Sequence, residues 1–454
     1  MSRHPSSFRD PSGFIFTQGS RLLRQINAVA KTDYDLMMSS GLYDYLVKKE
    51  LLVAHKEVEN IHSDAYKTLE PDHIPFISYP YEWSFDQLKD AALLTLRIQK
   101  IALKHGMTLK DSSAYNVQFC KGKPIFIDSL SFEKYKEGKP WDAYKQFCQH
   151  FLAPLALASY KDIRLNKLMQ TFIDGVPLDL ASTLLPSRTK LKFSFLSHIH
   201  WHAKTQVKHA DKAKDQKKIA KVSQTGLLGI ISNLKGTIEK LSWNSGDTEW
   251  GDYYNNTNYS EGSFEQKMII IQEYLNTLEA KSLWDLGAND GTFSMIAANL
   301  GIETLACDID PIAVNKNYLK VKNEGITNMH PLLMDLTNPS PDLGWAHTER
   351  DSLQSRGPAD CIMALALVHH LAISNNLPME LIATYFGKLG KHLIIEFVPK
   401  GDSKVDTLLS TRDDIFPNYT YEGFEKAFSS VFDLMEKRSI DGSDRTLYLY
   451  KTRS

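Results

Sequence analysis

At 454 residues the chain is long enough for two domains and a connector, each with its own core. A hydrophobic share of 43%, a charged share of 24% and a net charge of −1 are those of an ordinary soluble protein. They exclude any whole-molecule attraction to nucleic acid or membrane, so such a partner needs a local patch. The longest apolar run, Cys361 to Val368, falls well short of the ~20 residues that span a bilayer. Met1-Ser-Arg-His-Pro-Ser-Ser lacks the apolar core of a secretion signal. Cys120, Cys148, Cys307 and Cys361 are scattered without metal-ligand spacing, which predicts buried free thiols, no metal site and a cytoplasmic location.

In chain order, Gly13-Phe-Ile-Phe and Arg21-Leu-Leu-Arg-Gln-Ile read as paired strands joined by Thr17-Gln-Gly-Ser. A helical stretch is expected over Asp33 to Lys49, and a strand over Ile74-Pro-Phe-Ile-Ser-Tyr-Pro. Asp86 to Lys104 is amphipathic, with Leu94, Ile98 and Ile101 on one face. Val117-Gln-Phe-Cys and Ile125-Phe-Ile-Asp form a hairpin around Lys121-Gly-Lys-Pro. The loop Gly106-Met-Thr-Leu-Lys-Asp-Ser-Ser-Ala-Tyr-Asn and the hairpin ending at Asp128 resemble the catalytic loop of protein-kinase-like and aminoglycoside-phosphotransferase-like folds. That resemblance implies an α+β kinase-like domain over residues 1–186, with Asp111 and Asn116 in the loop and Asp128 as the metal-binding acid. Several parts depart from the pattern. No glycine-rich loop precedes it, Arg24 stands where a strand lysine would meet phosphates, Leu109 replaces the loop histidine, and Ser129-Leu130 replaces Phe-Gly. A degenerate nucleotide- or acceptor-binding module is the expectation, rather than an active phosphotransferase.

Between Ser187 and Val222 stand ten Lys or Arg against two Asp, with four His and no Gly or Pro. Residues 187–245 therefore read as a basic helical connector. His198-Ile-His-Trp-His alternates at strand spacing, too spread for one ion without further ligands, so ordinary surface or interface histidines are expected. The lysines from Lys204 to Lys221 suit a solvated helix face, or contact with an anionic acceptor such as RNA or a phosphorylated glycolipid.

Beyond residue 245, apolar strands alternate with helices. The strands are Ser282-Leu-Trp-Asp, Glu303-Thr-Leu-Ala-Cys-Asp, His330-Pro-Leu-Leu-Met-Asp, Asp360-Cys-Ile-Met-Ala-Leu and His392-Leu-Ile-Ile-Glu, with helices expected over Thr292–Leu300, Ile312–Asn323 and Pro378–Leu389. This alternation predicts an α/β domain over 246–454, with a mostly parallel sheet between helices. Leu283-Trp-Asp-Leu-Gly-Ala-Asn-Asp-Gly-Thr-Phe-Ser places a strand end at Asp285 and a glycine-bearing turn from Gly287 to Gly291, the setting of a nucleotide-type site. Both glycines let backbone approach a ligand. Asp308, at the next strand end, suits a ribose diol, and Asp335, after the third strand, suits an adenine amino group.

The order Asp285-x-Gly287-x-Asn289-x-Gly291, then Asp308, Asp335 and the fourth-strand exit Ala364-Leu-Ala-Leu-Val-His-His-Leu, resembles the class I S-adenosylmethionine-dependent methyltransferases, with Asn289 in place of a glycine. The resemblance covers about Trp250 to Lys451 and implies a Rossmann-like domain with a reversed seventh strand at Arg445-Thr-Leu-Tyr-Leu-Tyr. It also implies S-adenosyl-L-methionine as cofactor. His369 or His370, and as a second candidate Glu396, are the expected bases if the acceptor must lose a proton. Trp250, Tyr253, Tyr254 and Tyr259 are expected to close over the cofactor or line the acceptor pocket.

The fourth strand is not followed by the Pro-Pro-aromatic segment used on exocyclic amines of bases, and no Pro-Cys or Thr-Cys follows strand four or five. An oxygen or activated-carbon acceptor is left, on a small molecule, a glycan or a lipid-linked molecule. An RNA methyltransferase using the basic connector and a non-catalytic cofactor-binding protein are the alternatives. Ser39-Ser-Gly-Leu-Tyr, the Leu-Lys-Asp…Tyr-Asn loop and Ile395-Glu-Phe-Val-Pro-Lys are further similar to a bacterial group of methyltransferase-like proteins that includes nodulation proteins of the NoeA type.

Overall fold

A computed structural model describes residues 2–202, 221–243, 261–410 and 412–453. They fall into two compact units: Met1–Asn244 with Gly344–Arg350, and Ser245–Leu343 with Asp351–Ser454.

The first unit opens with β1 (Ser2–Arg3), β2 (Gly13–Gln18), β3 (Arg21–Asn27), β4 (His55–Val58) and β5 (Ala65–Pro71), an antiparallel sheet of order β1-β2-β3-β5-β4. The β2–β3 hairpin turns at Gly19, whose φ of +61° suits a residue without a Cβ. β4 carries no alternation of apolar residues because it is a half-exposed edge strand. Helical sequence over Asp33 to Lys49 forms two helices, α1 (Lys31–Ser39) and α2 (Leu42–Lys48), broken where Gly41 takes φ +73°. No strand forms over Ile74 to Pro80. Prolines at 75 and 80 remove ladder donors, and the chain runs into a short turn at Pro80–Glu82, where the Glu82 carboxylate accepts from the Tyr79 N–H at 2.9 Å.

Helix α3 (Phe85–Lys104) starts on a reciprocal cap between Ser84 and Gln87 and buries Leu88, Ala91, Leu94, Ile98 and Ala102. The expected hairpin is β7 (Val117–Cys120) with β8 (Lys123–Phe126), and it is flanked by the pair β6 (Met107–Leu109) and β9 (Phe132–Lys134). Helix α4 (Ala153–Tyr160) is apolar all round and correspondingly buried.

The stretch expected as a connector contributes its described parts to this first unit. Helix α5 (Gln224–Lys240) packs on α3 through Leu227, Ile231, Leu234 and Ile238. His198 and His200 lie on a helical turn, Leu196–His200, rather than on a strand. Both are buried, correcting the expectation of surface rings. His198 pairs with Tyr144 Oη at 2.5 Å and Asn233 Oδ1 at 2.8 Å, and His200 with Ser182 and Thr189 hydroxyls at 2.8 and 2.9 Å. Cys148, Cys307 and Cys361 are buried free thiols, whereas Cys120 is partly exposed.

In the second unit, α6 (Glu261–Thr277) leads into β10 (Ser282–Leu286). There follow α7 (Ser294–Asn299), β11 (Glu303–Asp308), α8 (Pro311–Glu324), β12 (Met329–Leu333), β13 (Ala359–Ala364), α9 (Met379–Leu389), β14 (Gly390–Phe397), α10 (Tyr421–Ser429), β15 (Phe432–Ser439) and β16 (Thr446–Thr452). The sheet order is β12-β11-β10-β13-β14-β16-β15, parallel from β12 to β14 and antiparallel at both contacts of β16. This mostly parallel α/β sheet has the strand reversal expected from the class I methyltransferase resemblance, at β16 alone. Leu283, Cys361, Met363, Ile394, Leu447 and Leu449 share a core with α6 and α7. On the opposite face Tyr448 and Tyr450 meet Phe424 and Phe428 of α10. Burial on both faces is why these strands read as near-continuous apolar runs.

Candidate active site

Strand order reverses between β10 and β13, and a cleft of about 410 Å³ opens at their carboxyl ends, where α/β sheets bind ligands. The chain leaves β10 through Gly287 at φ +83°, Asn289 at φ +49° and Gly291 at φ +81°. Asparagine tolerates the left-handed conformation better than other side-chain-bearing residues, so Asn289 replaces a glycine without changing the turn, and its Oδ1 accepts from the Asp290 N–H at 2.8 Å. Gly287 borders the cleft. Gly291 does not, contrary to its expected role in ligand approach. A Cβ there would stand 2.5 Å from Asn317 Nδ2 on α8, so this glycine permits close packing of turn and helix.

Asp308 ends β11 with its carboxylate on the cleft wall. Its Oδ2 accepts from the Asn289 N–H and its Oδ1 from the Asp310 N–H, both at 2.8 Å. Burial pushes this carboxyl up to about 6, against the pull of those two N–H groups. Asp285 is buried, accepts from the Ser294 hydroxyl at 2.6 Å, and is raised by burial to about 7. Asp335 lies past β12, where its Oδ1 accepts from both the N–H and the hydroxyl of Thr337. Asp285, Gly287, Asn289, Asp308 and Asp335 thus border one cleft, whose apolar walls include Ile309, Met334, Leu365, Leu367 and Leu371. Tyr254 lies outside the described residues, as do Trp250, Tyr253, Tyr259 and the lysines from Lys204 to Lys218.

The three candidate bases differ in their surroundings. His370 faces the cleft, and burial, helped by the charge of Lys404, pushes its pKa down to about 4. His369 is buried outside the cleft lining, its ring 4.2 Å from that of His370, and neither of its nitrogens has a hydrogen-bond partner among the described residues. Burial drives it well below the ordinary imidazole range. Glu396 is fully buried in an ion pair. Lys267 Nζ donates to its Oε2 at 2.6 Å, and Arg445, itself bonded to Asp402 at 2.7 Å, stands 3.6 Å from its Oε1. Such a carboxylate serves as counter-ion to two cations.

Lys267 is the residue that the sequence reasoning missed. It lies on α6, 2% exposed, borders the cleft and sets its ammonium 4.5 Å over the Phe293 ring. Burial lowers its pKa, while Glu396 opposes the shift. The available signal was a lone lysine at helical spacing among Phe264, Ile271 and Tyr274.

In the first unit, Arg24 pairs with Asp128 at 2.5 Å, and Asp128 also accepts from the Ser131 hydroxyl and the Leu130 N–H. Asn116 donates to Ser131, and Asp111 accepts from the Ser113 N–H at 2.8 Å. The acid expected to bind metal therefore faces a guanidinium. Among the described residues no group of three or more His, Cys, Asp or Glu is arranged to hold a metal ion.

No protein-family model matches the chain. The nodulation protein NoeA of Rhizobium meliloti (strain 1021) is 34% identical over 459 residues, covering 99% of this chain and 96% of that protein. Similar solved structures include the magnesium protoporphyrin IX methyltransferase ChlM of Synechocystis PCC 6803 (17% identical, 42% of this chain and 84% of that one, TM-score 0.31). The N-methyltransferase NodS of Bradyrhizobium japonicum WM9 is another (12% identical, 43% of this chain and 99% of that one, TM-score 0.31). With a third of its residues shared along nearly the whole length of both chains, this protein belongs to the family of the nodulation protein NoeA.

Proposed function

We propose that the second unit transfers a methyl group from S-adenosyl-L-methionine to an oxygen or activated carbon of a small-molecule, glycan or lipid-linked acceptor. The observation that carries this reading is Asp308. Its carboxylate is fixed at the cleft by two backbone N–H groups, one strand away from the glycine turn, with lone pairs left for a ribose diol. The donor set suits the rest of the cofactor. Asp335 would accept from an adenine amino group, Ile309 and Met334 would flank the base, and the open backbone at Gly287 would admit the amino-acid portion. When bound, the cofactor supplies a methyl group on a positively charged sulfur.

The protein's part is then positional and protonic. The apolar wall around Leu365, Leu367 and Leu371 excludes water and helps hold the acceptor in line. His370 is neutral above about pH 4 and faces the cleft, so it takes the acceptor's proton where one must leave. Glu396 opposes the loss of charge that burial favours at Lys267, and an ammonium at this cleft margin would meet a carboxylate. For the first unit we propose a kinase-like fold without phosphotransfer, with Arg24 in place of the cation that Asp128 would otherwise bind.

The test combines two measurements on the full chain. Calorimetry with S-adenosylhomocysteine reads binding, and mass spectrometry of cell extracts incubated with enzyme and methyl-labelled cofactor reads the product. Cofactor binding and one labelled product class are expected. Absence of binding refutes the cofactor reading, and binding without any labelled product refutes the enzyme reading in favour of a cofactor-binding protein.

A further inference from the structure

Leu191 is 88% exposed, more than any other large apolar side chain among the described residues, and Phe193, two residues on, is 68% exposed. Arg188, Lys190 and Lys192 are exposed in the same stretch, and no acid occurs from Ser187 to Phe195. This stretch is held in place. Thr189 and Phe195 are buried on either side, Thr189 bonding His200 at 2.9 Å, so the segment between them is pinned with its apolar tips outward. The Tyr160 ring gathers the cations: Lys192 donates to its hydroxyl at 2.6 Å, and the Arg188 guanidinium stands 5.6 Å over its face. Behind them lies a groove of about 530 Å³, bordered by Tyr160, Phe193, Phe195, Asn233 and Lys240.

Paired apolar tips ringed by basic side chains match the layered chemistry of an anionic bilayer surface, where phosphates lie above the acyl boundary. We propose that the Arg188–Phe193 segment docks the protein on such a surface. Leu191 and Phe193 enter the headgroup layer, and Arg188, Lys190 and Lys192 meet lipid phosphates. A second copy of the segment is a poorer occupant, because across a two-fold axis its cations would face cations. Single-stranded nucleic acid is poorer too, because its bases stack on aromatic rings and the most exposed side chain here is aliphatic. The inference stands on the first unit alone and holds whether or not the second unit transfers methyl groups.

Flotation of the full-length protein with vesicles tests it, using phosphatidylcholine alone and phosphatidylcholine mixed with phosphatidylglycerol. Binding is expected only to the mixed vesicles and falls as salt is raised. Leu191→Ser/Phe193→Ser lowers the partition coefficient by roughly tenfold or more. Arg188→Glu/Lys190→Glu lowers it by at least about fivefold per charge. All four side chains face solvent, so thermal melting followed by circular dichroism stays at the wild-type value. Failure to bind mixed vesicles, equal binding to neutral ones, or unchanged binding by either variant overturns the proposal. So does a wild-type dimer that Leu191→Ser/Phe193→Ser converts to monomer without any vesicle binding, or RNA retention that depends on the same residues.

Discussion

Asp308→Asn tests the centre of the functional reading. The substitution keeps the shape and one acceptor oxygen but removes the charge and replaces the other oxygen with a donor. A hydrogen bond to a charged group contributes about 1.5–3 kcal/mol, so losing one to a ribose hydroxyl weakens binding about 10- to 150-fold. Calorimetry with S-adenosylhomocysteine near neutral pH reads this directly. The same residue sets a pH dependence. Its carboxyl titrates at about 6 in the folded protein. Below that pH the acceptor is progressively protonated, and wild-type affinity falls by up to about tenfold per pH unit. The asparagine variant shows no such slope. Asn weakens the bonds from Asn289 and Asp310 but also removes the burial penalty on the carboxylate, so the two effects oppose, and a melting curve checks that the variant remains folded during the binding assay. Wild-type affinity in the folded variant, or a wild-type affinity constant between pH 7.5 and about pH 5, refutes the assignment.

Other substitutions address the surroundings of the cleft. Lys267→Met leaves the buried Glu396 carboxylate with Arg445 but without its nearer cation and costs up to about 3–5 kcal/mol in urea unfolding, while Lys267→Met/Glu396→Gln costs less than the single change. A double-variant loss equal to the sum of the Lys267→Met and Glu396→Gln losses would show that the pair is not coupled. Gly291→Ala meets Asn317 and an unfavourable φ together, so it destabilises by about 1–3 kcal/mol or more. Gly301→Ala, at φ +80° with open space around it, costs only about 1 kcal/mol, and thermal melts separate the two. His369→Leu is neutral or stabilising by about 1 kcal/mol, since neither ring nitrogen has a partner among the described residues. His370→Ala lowers turnover roughly 100-fold with cofactor affinity intact, measured once an acceptor is in hand. Equal turnover by both histidine variants removes the base from His370.

The sheet of the second unit was legible because every central strand is buried on both faces and announces itself as an apolar run, while turns at Gly287 and Asn289 carry residues suited to positive φ. The same logic explains what was lost elsewhere. His55-Lys-Glu-Val is an edge strand with little to bury, so no pattern marks it. His198-Ile-His has the alternation of a strand, but its rings are buried by a helical turn whose partners, Tyr144, Ser182, Thr189 and Asn233, are remote in sequence. Within the site, Asp285, Gly287, Asn289, Asp308 and Asp335 could be read because each sits at a fixed offset from a strand end. Glu396 shares that offset, yet its environment is set by Lys267, 129 residues earlier, and by Arg445. Spacing identifies a strand-end acid; it does not reveal whether a cation is already seated against it.

The place of β16 in the sheet has a consequence for synthesis. Thr446–Thr452 follows every other described strand in chain order, yet lies between β14 and β15 rather than at the margin. Arg445, just ahead of it, delivers the guanidinium that closes the pair with Asp402 and sits beside Glu396. Until those residues emerge, β14 has an open side and β15 has no partner strand, so the nascent second unit holds an unfinished sheet. A premature stop before Thr446 therefore removes an interior stave and exposes two strand edges, leaving a chain destined for aggregation or proteolysis rather than an intact sheet with a trimmed margin.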